Sequence, residues 1–573
     1  MTFLSSMSNS DKKLSNLLHK IQSLGYANGL ISFLKDFPDF EYKFKMMEGS
    51  IAFRATHEKN FRCLVINSDL GNIPENLSHT YDHVFSLDLN KEKLLIQKYR
   101  FQENKIYNIT LVRCDSHYLP FPNDYFDLIV SNGIKIDDEN TISTKSTIKK
   151  YFNEIKRVLV SDGCLCLGVR NNSRLKILMQ ETENDENSKN FRASFNEYES
   201  LLNSSSFKFK SFWVLPSYQK PHYSGNIEDN VSLKWFFKSF QKFSVNTKKF
   251  SLFKLFSFTT NDVTRKLFTK LFCPSFLFYC YKNEIPKELE DVILEHSKLK
   301  HLIQFVRSRK IMYILLDMYG NPVKVSSCKF TKYNLKEKIC PITQNFNKSK
   351  SSNEKITIEE WLQGKQIDRL KKNDINLVMS WLIDFQNNTA SELFSKNDIE
   401  QEIENMKIKL NKLPEMNNFP YHQWLEEYKS HTSDLLLKKT AVHGDLQPKN
   451  IFVDQKNSSI KVIDWELSVE KGNPLIDFIW FAISIMQWSP DSINEFKLNL
   501  EGKGKVISSI KTIKETMQKS FHADLNFLIL LRFVILRWIT VKTQEEISTL
   551  YLHYIELLKI LSDKHIVKNI GEK

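Results

Sequence analysis

The stretch His443-Gly444-Asp445-Leu446-Gln447-Pro448-Lys449-Asn450, followed by Ile463-Asp464-Trp465-Glu466, constrains this chain more than any other. Ile451-Phe452-Val453-Asp454 and Ile460-Lys461-Val462-Ile463 are short apolar runs rich in β-branched residues, separated by the polar Gln455-Lys456-Asn457-Ser458-Ser459. That pattern predicts a β-hairpin. A hairpin brings its open ends together. Asn450 stands just before its entry and Asp464 just after its exit, so an amide oxygen and a carboxylate converge as a hard cation such as Mg²⁺ requires. Asp445, on the preceding loop, is placed to accept a proton from a hydroxyl or to orient it. His443 reads as a structural histidine beside the site.

The H-x-D-x-x-x-x-N spacing with a later Asp is the one protein kinases use for an acceptor hydroxyl and Mg²⁺–nucleotide. With Gly472-Asn473-Pro474-Leu475-Ile476-Asp477, these residues resemble the aminoglycoside phosphotransferase family, relatives of choline kinases. Ile356–Gly364 resembles the strand and hinge linking that family's two lobes, and Val378–Gln386 the helix that follows. The resemblance covers roughly residues 300–570. It implies a bilobal, protein-kinase-like α+β domain, with ATP and Mg²⁺ as cofactors, Asp445 catalytic, and Asn450 and Asp464 on the metal. It also implies nucleotide contacts from Glu360 and Leu362 at the hinge, and a small-lobe Lys that pairs the phosphates with a Glu that anchors it. Ile314–Lys329 reads as a hairpin, and either Lys324 or Lys329 could supply that lysine. Lys324, between Val323 and Val325, is preferred, with Glu337 as its partner. A glycine-rich phosphate loop is missing, since Gly320 is the only glycine between Gly225 and Gly364.

The N-terminal half carries a different pattern. Cys63–Ile66, Val84–Asp88, Ile109–Asp115 and Phe126–Asn132 read as buried strands. A helix over Tyr151–Leu159, a Ser161-Asp162-Gly163 turn and a strand Cys164–Val169 follow. Alternating strands and helices predict a doubly wound parallel sheet with its ligand at the carboxyl strand ends, where Asp88 and Asp115 fall. These segments resemble class I S-adenosylmethionine-dependent methyltransferases, a Rossmann-like α/β fold. The resemblance implies that Asp88 is the ribose-binding acid, and that Asp115 and Ser116, before Leu119-Pro120-Phe121, lie on the adenine side. It also adds S-adenosylmethionine to the cofactors. The segments Leu215–Tyr218 and Cys273–Phe276 resemble that family's appended substrate-side pieces and closing strand. The departure is the cofactor loop. Where the family has Asp-x-Gly-x-Gly-x-Gly, this chain has Val65, Asn67, Asp69 and Gly71. Asn and Asp tolerate positive φ better than most residues, so the turn is expected to form with Asn67 and Gly71 at the methyl donor. A carboxylate at Asp69 is expected to oppose the donor's own carboxylate.

At 573 residues the chain has room for two to four domains. Its net charge of +14 (81 Lys and Arg, 67 Asp and Glu) is spread along its length. There is no arginine-rich tract and no clear nucleic-acid signature. The eight cysteines show no metal spacing; Cys164 and Cys166 share one strand face and read as small apolar residues. Met1–Asn9 lacks a basic start and an apolar core, and no run reaches a transmembrane length, because Arg532 and Arg537 interrupt the longest. The expectation is a cytoplasmic enzyme.

The expected organisation has six segments. They are a helical extension at 1–55, a methyltransferase-like domain at 56–215 and its cap at 216–283. A charged connector at 284–300, a kinase-like small lobe at 301–360 and a large lobe at 361–573 follow. The expected function is phosphoryl transfer from ATP to a hydroxyl of a small-molecule or glycan-like acceptor, fused to a methyltransferase. Two alternatives stay open. In one, the sheet domain is an inactive recognition module that presents an acceptor or partner. In the other, methyl transfer is the main activity and the kinase-like half binds. Oligomeric state is not legible.

Overall fold

The computed structural model describes residues 9–37, 40, 62–79, 81–135, 141–172, 191–243, 261–287, 289–307, 310–329, 356–360, 365–454, 459–487, 492–542, 550–563 and 565–566. Two compact units result. One holds the described residues through Lys329 together with Ile356–Glu360, and the other begins at Lys365.

Apolar runs without polar alternation mark strands covered on both faces, and the first unit is built on them. Its strands are β1 (Arg62–Ile66), β2 (His83–Leu87), β3 (Ile109–Val112), β4 (Phe126–Asn132), β5 (Leu159–Arg170), β6 (Lys208–Ser217), β7 (Lys220–Asn226) and β8 (Ser275–Tyr281). Strands β3, β2, β1, β4 and β5 are parallel neighbours in that order. Strand β8 runs antiparallel between β5 and β6. Leu64 and Ile66 bury into one apolar cluster, and Cys63 and Val65 into another on the opposite face. Cys164 and Cys166 join the second cluster as packing residues. Helices Asn9–Leu24 and Tyr26–Asp36 precede the sheet, with Leu14, Leu17 and Ile21 buried at helical spacing.

Two local expectations shift. Ser161-Asp162-Gly163 lies inside β5, where the ladder steps from Phe126↔Leu159 to Leu128↔Cys164 and the intervening residues bulge out. The turn signal is real, but the strand resumes around it. The charged segment 284–300 contains helix Leu289–Ser297, whose Ile293 packs into the sheet's second cluster.

The same sheet continues. Strands β9 (His301–Arg307), β10 (Lys310–Leu316), β11 (Pro322–Lys329) and β12 (Ile356–Glu360) form an antiparallel meander. Its first strand pairs with β7, through Tyr223↔Phe305 and Ser224↔Gln304. The result is one twelve-stranded sheet, ordered β12-β11-β10-β9-β7-β6-β8-β5-β4-β1-β2-β3. The strands expected in a lobe at 301–360 are therefore hydrogen-bonded neighbours of the sheet expected to end at 215. The sequence shows no sign of this, because strand pairing across distant segments leaves no local pattern.

The second unit is mainly helical. Helix Leu475–Ile485 is buried on nearly every side, as its continuous apolar run requires. Helices Lys372–Thr389, Lys396–Leu410, Tyr421–Thr432, Ile507–Phe521, Phe527–Lys542 and Leu550–Ser562 accompany it. Two small ribbons complete it. Strands β13 (Lys365–Gln366), β15 (Ile451–Asp454) and β16 (Ser459–Val462) form one, and β14 (Thr440–Val442) with β17 (Val469–Gly472) the other.

In the first unit, a buried ion pair ties helix Asn72–Ser78, which follows the loop after β1, to helix Lys91–Glu103. Arg100 pairs with Glu75, both almost fully buried, and its Nη1 donates to Asn72 Oδ1 (2.6 Å) and Leu70 O (3.2 Å). Asn104 Nδ2 donates to the other Glu75 oxygen at 2.5 Å. Replacing Arg100 with Met leaves Glu75 charged and unpaired in the interior, a loss of about 3–5 kcal/mol. Urea unfolding of the full chain should show the sheet unit weakened by that amount; a change below about 1 kcal/mol would show that water already reaches the pair.

Candidate functional site

The loop between β14 and β15 begins with a residue that only glycine can be. Gly444 has φ +80°, and a Cβ there would lie 2.4 Å from Leu467 O. This tight turn lets the backbone N–H groups of His443 and Gly444 both point at the carboxylate of Asp477, at 2.7 and 2.9 Å. Asp477 is fully buried on helix Leu475–Ile485. Burial pushes its carboxyl above the usual range, against the opposing pull of His443 and those N–H donors. His443 Nδ1 accepts from Asp445 N–H at 3.2 Å, which leaves the ring proton on Nε2 for Ile463 O at 2.9 Å. The imidazole thus straps the loop to the far end of the hairpin, and Trp465 packs on it with ring centres 4.5 Å apart.

Asp445 is half-buried. Its Oδ1 accepts from Gln447 Nε2 (2.6 Å) and Trp480 Nε1 (2.9 Å). Burial raises its carboxyl above the usual range, while Lys449, Trp480, Gln447 and His443 pull it down. Trp480 is held in turn by a stacked Trp538, centroids 3.9 Å apart. Asn450 Nδ2 lies 3.5 Å from the other Asp445 oxygen, and a half-buried carboxylate with a raised pKa is a better proton acceptor than a free one.

Strands β15 and β16 pair in the register Ile451↔Val462 to Asp454↔Ser459, and Ile463 N–H donates to Asn450 O (2.9 Å). Asn450 and Asp464 therefore flank the open end of this hairpin. The Asn450 amide is 1% exposed. Its Nδ2 donates to Asp445 O (3.0 Å), while its Oδ1 is buried without a hydrogen-bond partner. A buried amide oxygen left unpaired costs free energy, and a divalent cation would satisfy it. Asp464 adopts the left-handed conformation (φ 69°, ψ 57°), which a non-glycine residue takes at some cost. The donor set is oxygen only and suits Mg²⁺.

The nucleotide-side candidates lie in the other unit or beyond the described residues. Lys324 sits on β11, opposite Leu315 on β10 and Glu360 on β12. Lys329 ends β11, opposite Lys310. Glu337 and Leu362 lie outside the described residues.

At the carboxyl ends of the parallel strands, the loop after β1 turns through three left-handed residues, Asn67 (φ 57°), Asp69 (φ 48°) and Gly71 (φ 92°). Asn67 Nδ2 donates to Gly133 O at 2.8 Å. A Cβ on Gly71 would come within 3.0 Å of Gln97 Cγ and Phe101 Cζ, so the last glycine serves helix packing as well as the turn. Asp69 meets Lys93 Nζ at 2.5 Å, which offsets the negative charge expected to oppose a donor carboxylate. Asp88 is fully buried after β2. Its Oδ1 accepts from Asn90 N–H (3.0 Å) and Lys135 Nζ (3.3 Å), and its Oδ2 has no hydrogen-bond partner. That oxygen is open to a hydrogen-bond donor. Asp115 accepts from the backbone N–H and Nδ1 of His117, at 3.0 and 2.7 Å. Burial raises its carboxyl, but these bonds outweigh it and leave the group below the usual range. Ser116, next to it, is buried.

Sequence reasoning missed three members of the site. Asp477 could have been found as the lone carboxylate in the apolar run Leu475–Ile485. Gln447 lies two residues from Asp445 on the same loop, but a glutamine there carries no distinctive signal, and Trp480 had none because helix packing brings it to Asp445.

Residues 69–167 match the model of a methyltransferase domain, and residues 380–505 that of a phosphotransferase enzyme family. Both transferase families are thus represented, the N-terminal part by a mostly parallel α/β sheet and the C-terminal part by a kinase-like domain. The first family implies S-adenosylmethionine, the second ATP with Mg²⁺. Solved structures with similarity include the YcgJ protein of Bacillus subtilis, 16% identical, covering 41% of this chain and 96% of that one (TM-score 0.25). A SAM-dependent methyltransferase of Aquifex aeolicus is 14% identical over 26% of this chain and 74% of its own (TM-score 0.22). The phosphoethanolamine N-methyltransferase 2 of Haemonchus contortus, solved with phosphomonomethylethanolamine and S-adenosylhomocysteine, is 12% identical. It covers 40% of this chain and 50% of its own (TM-score 0.26). No curated protein matches the sequence. Among the described residues, no helix is long and apolar enough to cross a membrane.

Asp477→Asn offers one acceptor oxygen to two N–H groups, so the loop should lose its anchor. Turnover of any phosphoryl-transfer substrate should fall by roughly a hundredfold, the scale of a small displacement of a catalytic group. Circular dichroism should be unchanged; full activity would show that the loop stands without this carboxylate. The Trp480→Phe substitution removes a donor that stabilises the Asp445 anion, so the Asp445 pKa should rise further. A base must be deprotonated, so activity is lost as pH falls through that pKa. The acid limb of kcat/KM should therefore move to higher pH in Trp480→Phe; an unmoved limb would assign it to another group.

Proposed function

We propose that this chain is an ATP- and Mg²⁺-dependent phosphotransferase acting on a hydroxyl of a small-molecule or glycan-like acceptor, joined to a methyltransferase that uses S-adenosylmethionine. The phosphotransferase reading is carried by the partnerless, buried Asn450 oxygen beside a proton-accepting Asp445 on the same loop. Asn450 and Asp464 would hold Mg²⁺, which when bound neutralises charge on the transferring phosphoryl group. Asp445 accepts the proton of the acceptor hydroxyl as that oxygen forms its bond to the γ-phosphorus and the bond to the leaving diphosphate breaks. Trp480 and Gln447 fix the carboxylate by its Oδ1. His443 and Asp477 fix the loop that carries it. Lys324, with Lys329 as the alternative, is assigned to the nucleotide phosphates, and Glu337, Glu360 and Leu362 to the rest of that side.

For the methyltransferase half, the partnerless buried Asp88 oxygen and the Lys93–Asp69 pair favour a cofactor-competent cleft over an inert recognition module. Asp88 would receive the ribose hydroxyls, Asn67 and Gly71 the near approach of the donor, and Asp115 with Ser116 the adenine. S-adenosylmethionine would supply an activated methyl group. The protein's share is then to orient donor and acceptor, since no general base is evident among those residues.

Consumption of ATP against sugars, amino alcohols and polyols tests the first activity. Asp445→Asn should lower turnover by two or more orders of magnitude with the fold intact. An unchanged rate would remove Asp445 from the mechanism. Asp464→Ala should abolish Mg²⁺-dependent ATP binding, and nucleotide affinity indifferent to that change would argue against the metal role. Calorimetric titration with S-adenosylmethionine tests the second activity: Asp88→Ala should weaken a measurable binding signal. Absence of heat at millimolar donor in the parent chain would favour the recognition module.

A further inference from the structure

Within the second unit, a cavity of about 360 Å³ lies between helix Lys396–Leu410, the β14–β17 ribbon and helix Phe527–Lys542. That is room for a small ligand. None of Asp445, Asn450 and Asp464 lines it, so it is separate from the candidate phosphoryl-transfer site. Its lining carries four cations, Lys409, Lys439, Lys471 and Arg537, against two carboxylates, Asp398 and Glu402.

Two of the cations are already matched. Lys439 Nζ meets Asp398 at 2.9 Å and Glu392 at 3.3 Å, and Lys471 Nζ meets Glu392 at 3.3 Å. The other two are not. Arg537 is only 17% exposed, and its Nε reaches a single carboxylate oxygen, Glu402 Oε1, at 3.4 Å. Its two Nη groups make no hydrogen bond among the described residues, and there the Lys409 ammonium has neither a hydrogen-bond acceptor nor a carboxylate partner. Burial lowers the pKa of Lys409 and the charge of Arg537 lowers it further, so the two cations act on each other. One carboxylate cannot neutralise both.

Unmet donors on a largely buried guanidinium cost free energy unless something enters the cavity to take them. The chemistry of the donors says what fits. A guanidinium whose Nε edge is spent still offers its Nη edge to two oxygens of one planar or tetrahedral anion. An ammonium beside it asks for a third oxygen, which a phosphate has and a carboxylate lacks. The excess positive charge of a concave wall concentrates such an anion.

We infer that this cavity binds a phosphate dianion, free or carried on a small molecule, with Arg537 and Lys409 as its donors and Glu402 as the group that orients Arg537.

Calorimetric titration of the full chain in EDTA tests this, with glucose 6-phosphate, inorganic phosphate and glucose as probes. Chelation removes the divalent cation through which Asn450 and Asp464 would hold a phosphate. Both phosphate probes should bind at one site per chain, and glucose should give no heat. Arg537→Gln and Lys409→Gln should each weaken binding by roughly tenfold or more, the scale of one hydrogen bond to a charged group. Arg537→Lys keeps the charge but loses the fork, and should recover only part of that loss. Asp464→Ala should leave the affinity unchanged. Tighter binding of glucose 6-phosphate than of inorganic phosphate would support a phosphate carried on a small molecule that fills the rest of the cavity, and equal binding would support the free ion. Affinity that survives both Arg537→Gln and Lys409→Gln would overturn the inference. So would affinity that falls with Asp464→Ala, or no heat from either phosphate probe at millimolar concentration. Arg537→Gln takes the partner from Glu402; should that variant fail to fold, Lys409→Gln decides by the same reading, since its ammonium has no partner to lose.

Discussion

The carboxylate of Asp477, buried under the loop that carries Asp445, is the contact on which the candidate phosphotransferase site depends. It receives two backbone N–H groups from adjacent residues, at a turn where the second residue, Gly444, is left-handed and has no room for a side chain. Hydrogen bonds to a charged group are worth about 1.5–3 kcal/mol each. The direction of Asp445, the tautomer of His443 and the position of Asn450 follow from that attachment. The helix bearing Asp477 is otherwise apolar, so its place in the core is secured by packing, and the polar anchor inherits that rigidity.

The methyltransferase half solves a different problem. The loop after β1, the candidate cofactor loop, lacks two of three expected glycines, yet the backbone still turns through positive φ at Asn67 and Asp69. Short polar side chains tolerate that region, and Lys93 compensates the charge that Asp69 introduces. Only Gly71 is sterically required, because Gln97 and Phe101 pack against it. A degenerate motif is thus not a broken loop: the glycine letters encode a backbone path and a clearance, and each can be met by other means.

The sheet of the first unit does not end with the strands of its methyltransferase-type part. The strands that carry the nucleotide-side candidates extend the methyltransferase sheet, through β7 and β9.

The strands of the parallel sheet were legible, since continuous apolar runs of β-branched residues have few other uses. The hairpin at Ile451–Val462 was legible too, from its turn and its two flanking runs, and with it the placing of Asn450 and Asp464 at its open end. Such features are settled by interactions between residues a few positions apart, and spacing along the chain records those. Tertiary packing set the grip of Asp477 on His443, the stacking of Trp538 behind Trp480 and the pairing of Lys93 with Asp69, and long-range strand pairing set the joining of β7 to β9. Each brings together residues tens of positions apart whose meeting depends on which apolar faces bury against each other. That choice is made by the free energy of the whole core, and no short stretch of residues contains it.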